Sequence, residues 1–154
     1  MPVVARGSAG IAVVAIVGID PGMTGAIATV EPTVEVWDMP TTAHDLADLL
    51  RTFDPATTRV YIEKAQSMPG QGVSSMFKYG VHYGHLTGML ALLRIAYIEV
   101  SPQTWKRVMG LTAEKADSRA MAQRLFPEAA LSRKKDHGRA EALLLAEFGR
   151  RQRL

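Results

Sequence analysis

An α/β domain built on a mixed sheet is what this sequence predicts, on three observations. Three strand-like segments follow one another across tight turns near the start, at 13–19, 26–30 and 33–39. Helical and strand patterns then alternate through residues 43–101, and helical patterns alone fill the rest. The first group reads as an antiparallel meander. The alternation reads as a crossover that gives the first strand a parallel neighbour.

The run Val13 to Ile19 is apolar and β-branched, as a strand buried on both faces must be, and it ends on Asp20. Pro21-Gly22-Met23-Thr24-Gly25 turns the chain, because Gly22 and Gly25 let backbone approach backbone. Ala26 to Val30 is the second strand, Glu31-Pro32 the next turn, and Thr33 to Met39 alternates as a half-exposed third strand. A helix over 43–53 follows, with Thr42 as N-cap, Asp45 in the first turn and Leu46, Leu49, Leu50 and Phe53 on one face. Arg59 to Glu63 is a fourth strand that again closes on a carboxylate.

After the loop Met68-Pro69-Gly70-Gln71-Gly72, a long helix is expected from Ser74 to about Arg94. It carries Gly80, Gly84 and Gly88 at four-residue spacing, at a cost of roughly 1 kcal/mol per glycine relative to alanine. Close packing along that side accounts for such a stripe, either at a subunit interface or against the sheet. Tyr97 to Ser101 is a fifth strand, and Pro102 to Met109 a short helix with Ser101 as N-cap. Further helices are expected over 114–126 and from Asp136 to just before Gly149, separated by the basic loop Ser132-Arg133-Lys134-Lys135.

These elements make one domain over 13–150, preceded by a flexible arm or leader at 1–12 and followed by a basic tail at 151–154. The 154 residues suffice for one real core and not for two. A net charge of +3 is compatible with a nucleic-acid partner without establishing one. The absence of cysteine excludes disulfides and thiolate metal sites and suits a cytoplasmic protein. No segment has the eighteen or so uncharged apolar residues of a membrane span, so no membrane role is expected.

Carboxylates recur where core elements meet solvent: Asp20, Glu63 and the group Asp136, His137 and Glu141. If the first and fourth strands are sheet neighbours, Asp20 and Glu63 lie a few ångströms apart. His137 and Glu141 are four residues apart and share a helix face. Glu141 interrupts the apolar run Ala140 to Leu144, so it is expected near-buried and in need of a partner. Clustered carboxylates raise each other's pKa unless a cation compensates. Oxygen donors without thiols suit hard ions, Mg²⁺ or Mn²⁺, and two such ions about 3.5–4 Å apart clamp a phosphodiester for in-line displacement. Lys134 and Lys135 put phosphate-attracting charge beside these acids. Taken singly, each residue also has an ordinary reading: a turn after Asp20, a solvated strand end at Glu63, a surface ion pair at Glu141.

In this order, the motifs resemble those of the RuvC-type Holliday junction resolvases, in their short phage and bacterial form. The resemblance runs from Val17 to Phe148. It rests on Gly18-Ile19-Asp20-Pro21-Gly22, Ile62-Glu63, Met68-Pro69-Gly70-Gln71-Gly72 with Phe77-Lys78-Tyr79-Gly80, Pro102-Gln103-Thr104-Trp105-Lys106, and Asp136-His137-Gly138-Arg139-Ala140-Glu141-Ala142. It implies an RNase H-like fold: a five-stranded mixed sheet, its first three strands antiparallel, with helices on both faces. It implies a homodimer in a bacterial or phage-infected cytoplasm that binds four-way DNA junctions. Paired, metal-dependent nicks would leave 5′-phosphate and 3′-hydroxyl ends.

Carried over by motif, Asp20, Glu63 and Glu141 match catalytic acids, with Glu141 standing where better-known bacterial members have Asp. Asp136 and His137 both qualify for the fourth position. The resemblance also implies phosphate contacts by Lys78, Lys106, Arg107, Arg133, Lys134 and Lys135, and a dimer helix carrying Gly80, Gly84 and Gly88. Family members stack an aromatic on junction bases after the second acid; here Met68 and Phe77 are the candidates. Two alternatives keep the fold: a nuclease for flaps or replication forks, and a non-catalytic junction-binding protein. An actin-like ATPase or sugar kinase shares part of the first motif but needs about double this length.

Overall fold

The computed structural model describes residues 15–66 and 69–152. The expected arm at 1–12, Val13 and Val14 of the first strand, Met68, and residues 153 and 154 of the basic tail lie outside the described residues. Five strands are formed: β1 (Ala15–Asp20), β2 (Ala26–Glu31), β3 (Glu35–Asp38), β4 (Thr58–Glu63) and β5 (Ala96–Val100). Five helices accompany them: α1 (Ala43–Leu50), α2 (Val73–Leu92), α3 (Pro102–Val108), α4 (Lys115–Leu125) and α5 (His137–Arg151). A 3₁₀ turn, Lys134–Asp136, leads into α5.

The sheet order is β3-β2-β1-β4-β5. β1–β2 and β2–β3 are antiparallel, whereas β1–β4 and β4–β5 are parallel. The expected meander and the expected crossover from β1 to β4 are both present, and a second crossover, through α2, adds β5.

Strand alternation sorts the core into two layers. Ile16, Ala26, Ala28, Val30 and Tyr61 pack with Trp105, Met109, Ala122, Phe126 and the buried side of α5. Val17, Ile19, Ile27, Val60 and Ile62 pack with Leu46 and Leu50 of α1 and Leu86 and Leu90 of α2. With a period of two, residues 16, 18 and 20 of β1 and residues 61 and 63 of β4 share the face that α5 covers. Asp20 and Glu63 are thus aimed at α5 by register alone.

α5 is buried almost along its whole length, with Leu143, Leu144 and Leu145 at most 1% exposed. Each such leucine contributes about 1.5–3 kcal/mol by leaving water. The helix reaches the sheet this closely because glycine faces it. An added Cβ on Gly18 would lie 2.1 Å from the Ala142 carbonyl oxygen and 2.5 Å from the Ala146 nitrogen.

Most boundaries shift by a residue or two from the expectation, and three of the differences are informative. β3 spans only Glu35–Asp38, not 33–39. α1 stops at Leu50, although Phe53 still reaches the core edge through an edge-on contact with Trp37 at 6.1 Å. α5 does not stop before Gly149 but continues to Arg151. Gly149 is a packing residue rather than a helix terminator, since a Cβ there would lie 2.2 Å from the Tyr61 ring. The expected caps are in place: Thr42 accepts from the Asp45 backbone N–H and Ser101 from that of Thr104. Among the described residues no helix is long and apolar enough to cross a membrane.

Candidate active site

The register β1–β4 pairs Ile19 with Ile62, so Asp20 and Glu63 are the next residues along two adjacent parallel strands. α5 starts directly over this end of the sheet. Gly138 in its first turn fits against the β1–β2 turn, where a Cβ would lie 2.5 Å from the Thr24 carbonyl and 3.4 Å from Asp20 Oδ2. One turn later Glu141 enters the same space. Ligand oxygens of Asp20, Glu63 and Glu141 all lie within 4.8 Å of one another.

Burial and the mutual proximity of the acids show in two of the three carboxylates. Asp20 is pushed well above the usual carboxylate range, first by burial, then by the charges of Glu141 and Glu63; Lys106 and Lys115 oppose this. Glu63 is raised by burial and by Glu141, against a hydrogen bond from Trp105 and the charge of Lys106. The Tyr79 hydroxyl is pushed up to about 12 by burial and by Glu63 and Asp20. The shifts share one physical cause, unbalanced negative charge in a poorly solvated place.

Helix α3 supplies the partial balance. Lys106 Nζ is 3.0 Å from Glu141 Oε1 and 5.4 Å from the centre of the Trp105 ring. The Trp105 Nε1–H donates to Glu63 Oε2 at 2.8 Å.

The other expected site residues are placed apart from this group. Asp136 is 2% exposed, and its carboxylate accepts from the Arg133 backbone N–H (2.8 Å) and guanidinium (2.7–3.2 Å), with Arg139 Nε at 3.9 Å. The Arg133 hydrogen bonds hold its carboxyl below the usual range despite burial. Asp136 is therefore engaged in closing the 3₁₀ turn, and it is not among the gathered ligands. His137 opens α5 outside the close group and lines a cleft of about 550 Å³ with Lys115, Arg119, Lys134 and Lys135. Lys134 and Lys135 are exposed there, whereas Arg133 is engaged with Asp136. Lys106 and Arg107 border a second cleft beside α3.

Lys78 and Phe77 lie on the first turns of α2, beside a mainly apolar cleft of about 510 Å³ that also involves Met23, Val81, His82 and His85. Phe77 is 72% exposed. A Cβ on Gly80, Gly84 or Gly88 would meet nothing within 4 Å, so the stripe faces away from this chain's sheet. Of the two explanations for it, packing on the sheet is ruled out.

Four residues of this neighbourhood are not evident from the sequence pattern. Trp105 has a trace in the sequence: a helix capped by Ser101 begins at the end of β5, beside the strand that ends in Glu63. Lys115 and Arg119 have none, because their place depends on how α4 packs on α5. Tyr79 lies one residue from the glycine stripe but on the side of α2 that meets Gly22, with Cε2 at 3.5 Å from a Cβ there.

No protein-family model matches the chain. Over 102 residues, 61% of the chain, it is 35% identical to "Holliday junction resolvase MOC1, chloroplastic" of Chlamydomonas reinhardtii, of which the match spans only 11%. Its fold is similar to that of T. thermophilus RuvC solved in complex with a Holliday junction substrate. The TM-score is 0.61 at 17% identity, over 90% of this chain and 95% of that one. A second Thermus thermophilus RuvC structure matches with TM-score 0.58 at 18% identity, over 89% and 95%. The chain thus has the RNase H-like fold of RuvC, and the ends of β1 and β4 and the first turns of α5 carry its gathered carboxylates.

Proposed function

We propose that this chain is a structure-specific endonuclease that resolves four-way DNA junctions by metal-dependent phosphodiester hydrolysis, leaving 5′-phosphate and 3′-hydroxyl ends. The observation that carries this reading is the convergence of Asp20, Glu63 and Glu141 within 4.8 Å from three distant parts of the chain. The likeness to a named junction resolvase over 102 residues, and to RuvC in fold, supports the choice of substrate.

The donor set fits hard divalent ions, Mg²⁺ or Mn²⁺, two per site. All the donors are oxygens, and burial first, then the charges of the neighbouring acids, raises Asp20 and Glu63 despite the opposing charge of Lys106. Asp20, Glu63 and Glu141 would hold the ions, with His137 or Asp136 as the fourth residue; Asp136 would first have to give up Arg133. When bound, such ions polarise the phosphoryl oxygens and ease the deprotonation of water.

The chain's own cations do the remaining electrostatic work. Lys106 and Lys115, whose charges act on Asp20, would stabilise the charge that builds up on a phosphate held by the acids. Lys134, Lys135 and Arg119 line the adjoining cleft and would take backbone phosphates on either side, positioning the strand without reading its sequence. His137, on the rim of that cleft, would orient the attacking water where it is not itself a ligand. Phe77, standing out from α2, is the aromatic available to stack on an unpaired base.

The protein would act as a homodimer through α2. Val81 and Leu92 are exposed along the open glycine side, and small residues there permit close approach of a second helix. A cysteine-free chain suits a reducing cytoplasm, bacterial or phage-infected.

The test is a comparison of labelled four-way junction, flap and duplex DNA incubated with the purified protein in Mg²⁺ and in EDTA. Symmetric nicking of the junction alone, in Mg²⁺ alone, is expected. Preference for flaps would keep the chemistry and change the substrate; no cleavage of any DNA would defeat the proposal.

A further inference from the structure

Trp105 is fully buried, at 0% exposure, and yet its one polar atom is aimed at an acid of the site. The chain arrives there by construction. Val100 pairs with Glu63 across the β4–β5 ladder, and α3 begins two residues later with Pro102 in its first turn and Ser101 capping it. Trp105 therefore comes up beneath Glu63, with its ring held in the layer formed by Met109, Ala122 and Phe126. An indole N–H donates, never accepts and carries no charge. At 0% exposure no water can replace it in that role. The next residue, Lys106, pairs with Glu141. One turn of α3 thus grips two of the three carboxylates, one by a neutral donor and one by a charge.

We infer that Trp105 is a positioning residue: its hydrogen bond to Oε2 fixes the orientation in which Glu63 offers its carboxylate to a divalent cation. This rests on the reading of the acids as a metal site. The donor set to be oriented belongs to the strands and α5, and the device that orients it belongs to the rigid core under α3. Hydrogen-bond partners of metal-binding side chains act in this way, and losing one typically costs about 10- to 100-fold in metal affinity. A phenylalanine removes the N–H but also the five-membered half of the indole, so it leaves a cavity in the core and its effect on folding is read separately from its effect on the metal.

The experiment is a Mn²⁺ titration followed by electron paramagnetic resonance on wild type and Trp105→Phe, with melting of both in EDTA. The variant is expected to melt lower than wild type, by the cost of the cavity, while keeping its circular dichroism, and to bind Mn²⁺ about 10-fold or more weakly at a temperature where both are folded. A second measurement needs no variant fold. In ¹⁵N-labelled wild type the indole N–H resonance of Trp105 is expected to move on Mg²⁺ addition, while that of Trp37, the chain's other tryptophan, stays. Equal Mn²⁺ affinity in the two proteins, or a Trp105 resonance unmoved at Mg²⁺ saturation, overturns the inference while leaving the metal site standing. Wild type that binds no Mn²⁺ overturns the metal site, and this inference with it.

Discussion

The ammonium of Lys106 lies 3.0 Å from a carboxylate oxygen of Glu141, so a charge of the sign the site requires is already built into the protein. That charge competes with any ion the acids would hold. At this separation and partial exposure the pair is worth about 1 kcal/mol or somewhat more, which is roughly fivefold in affinity. Lys106→Met should bind Mn²⁺ several-fold more tightly by calorimetry and yet cut junctions more slowly, because methionine carries no charge to offer a phosphate. Weaker Mn²⁺ binding by the variant would show that Lys106 supports the ions rather than opposing them.

Asp20→Asn should separate stability from activity. Burial, then Glu141 and Glu63, hold the Asp20 carboxyl well above its usual range. A folded-state pKa above the unfolded one makes ionisation cost stability. The cost is absent below about pH 4, the unfolded value, and is complete above the raised folded value. In EDTA at pH 8 the variant should therefore melt higher than wild type, by about 2–4 °C for each kcal/mol relieved. The difference should shrink as the pH is lowered toward about 4, the range set by the unfolded value. Junction cleavage should fall by at least about a hundredfold. A variant that melts lower than wild type in EDTA at pH 8 would contradict the uncompensated charge.

The open side of α2 gives a test whose sign depends on assembly. In a monomer, Gly84→Ala fills empty space and should stabilise the helix by about 1 kcal/mol. In a dimer packed on that side, the added methyl groups keep the helices apart. Sedimentation equilibrium should show weaker self-association for Gly84→Ala, and more clearly for Gly84→Arg, with the circular dichroism of wild type. Unchanged association would move the interface elsewhere.

DNA binding should respond to the basic cleft through salt. Removing both Lys134 and Lys135 should lower affinity for all junction sequences alike and reduce the salt slope by about 1 for each phosphate no longer neutralised. Binding by fluorescence anisotropy across a salt series reads this directly. A weakening confined to particular sequences would mean that these lysines read bases.

How much of the molecule is legible in its sequence depends on the reach of each signal. Asp20 and Glu63 stand out because a strand that ends on a carboxylate is a local pattern, and the crossover rule makes the two strands neighbours. Glu141 stands out because an acid within an apolar helical run has to meet something. Gly149 has the look of a stop signal, since its true partner, the Tyr61 ring, is 88 positions away along the chain. Asp136 resembles a ligand by proximity in sequence, but Arg133, three residues earlier, already holds it. Lys115 has no local mark at all; only the packing of α4 on α5 brings it near Asp20. Patterns within one element are readable, and docking between elements is not.

The acids come from residues 20, 63 and 141, and the last of them arrives on the helix that seals the sheet through Gly18. A chain emerging from the ribosome holds two of these groups long before the third. A form in which α5 has not docked lacks one of the three groups, so the full donor set exists only where that helix lies against the sheet.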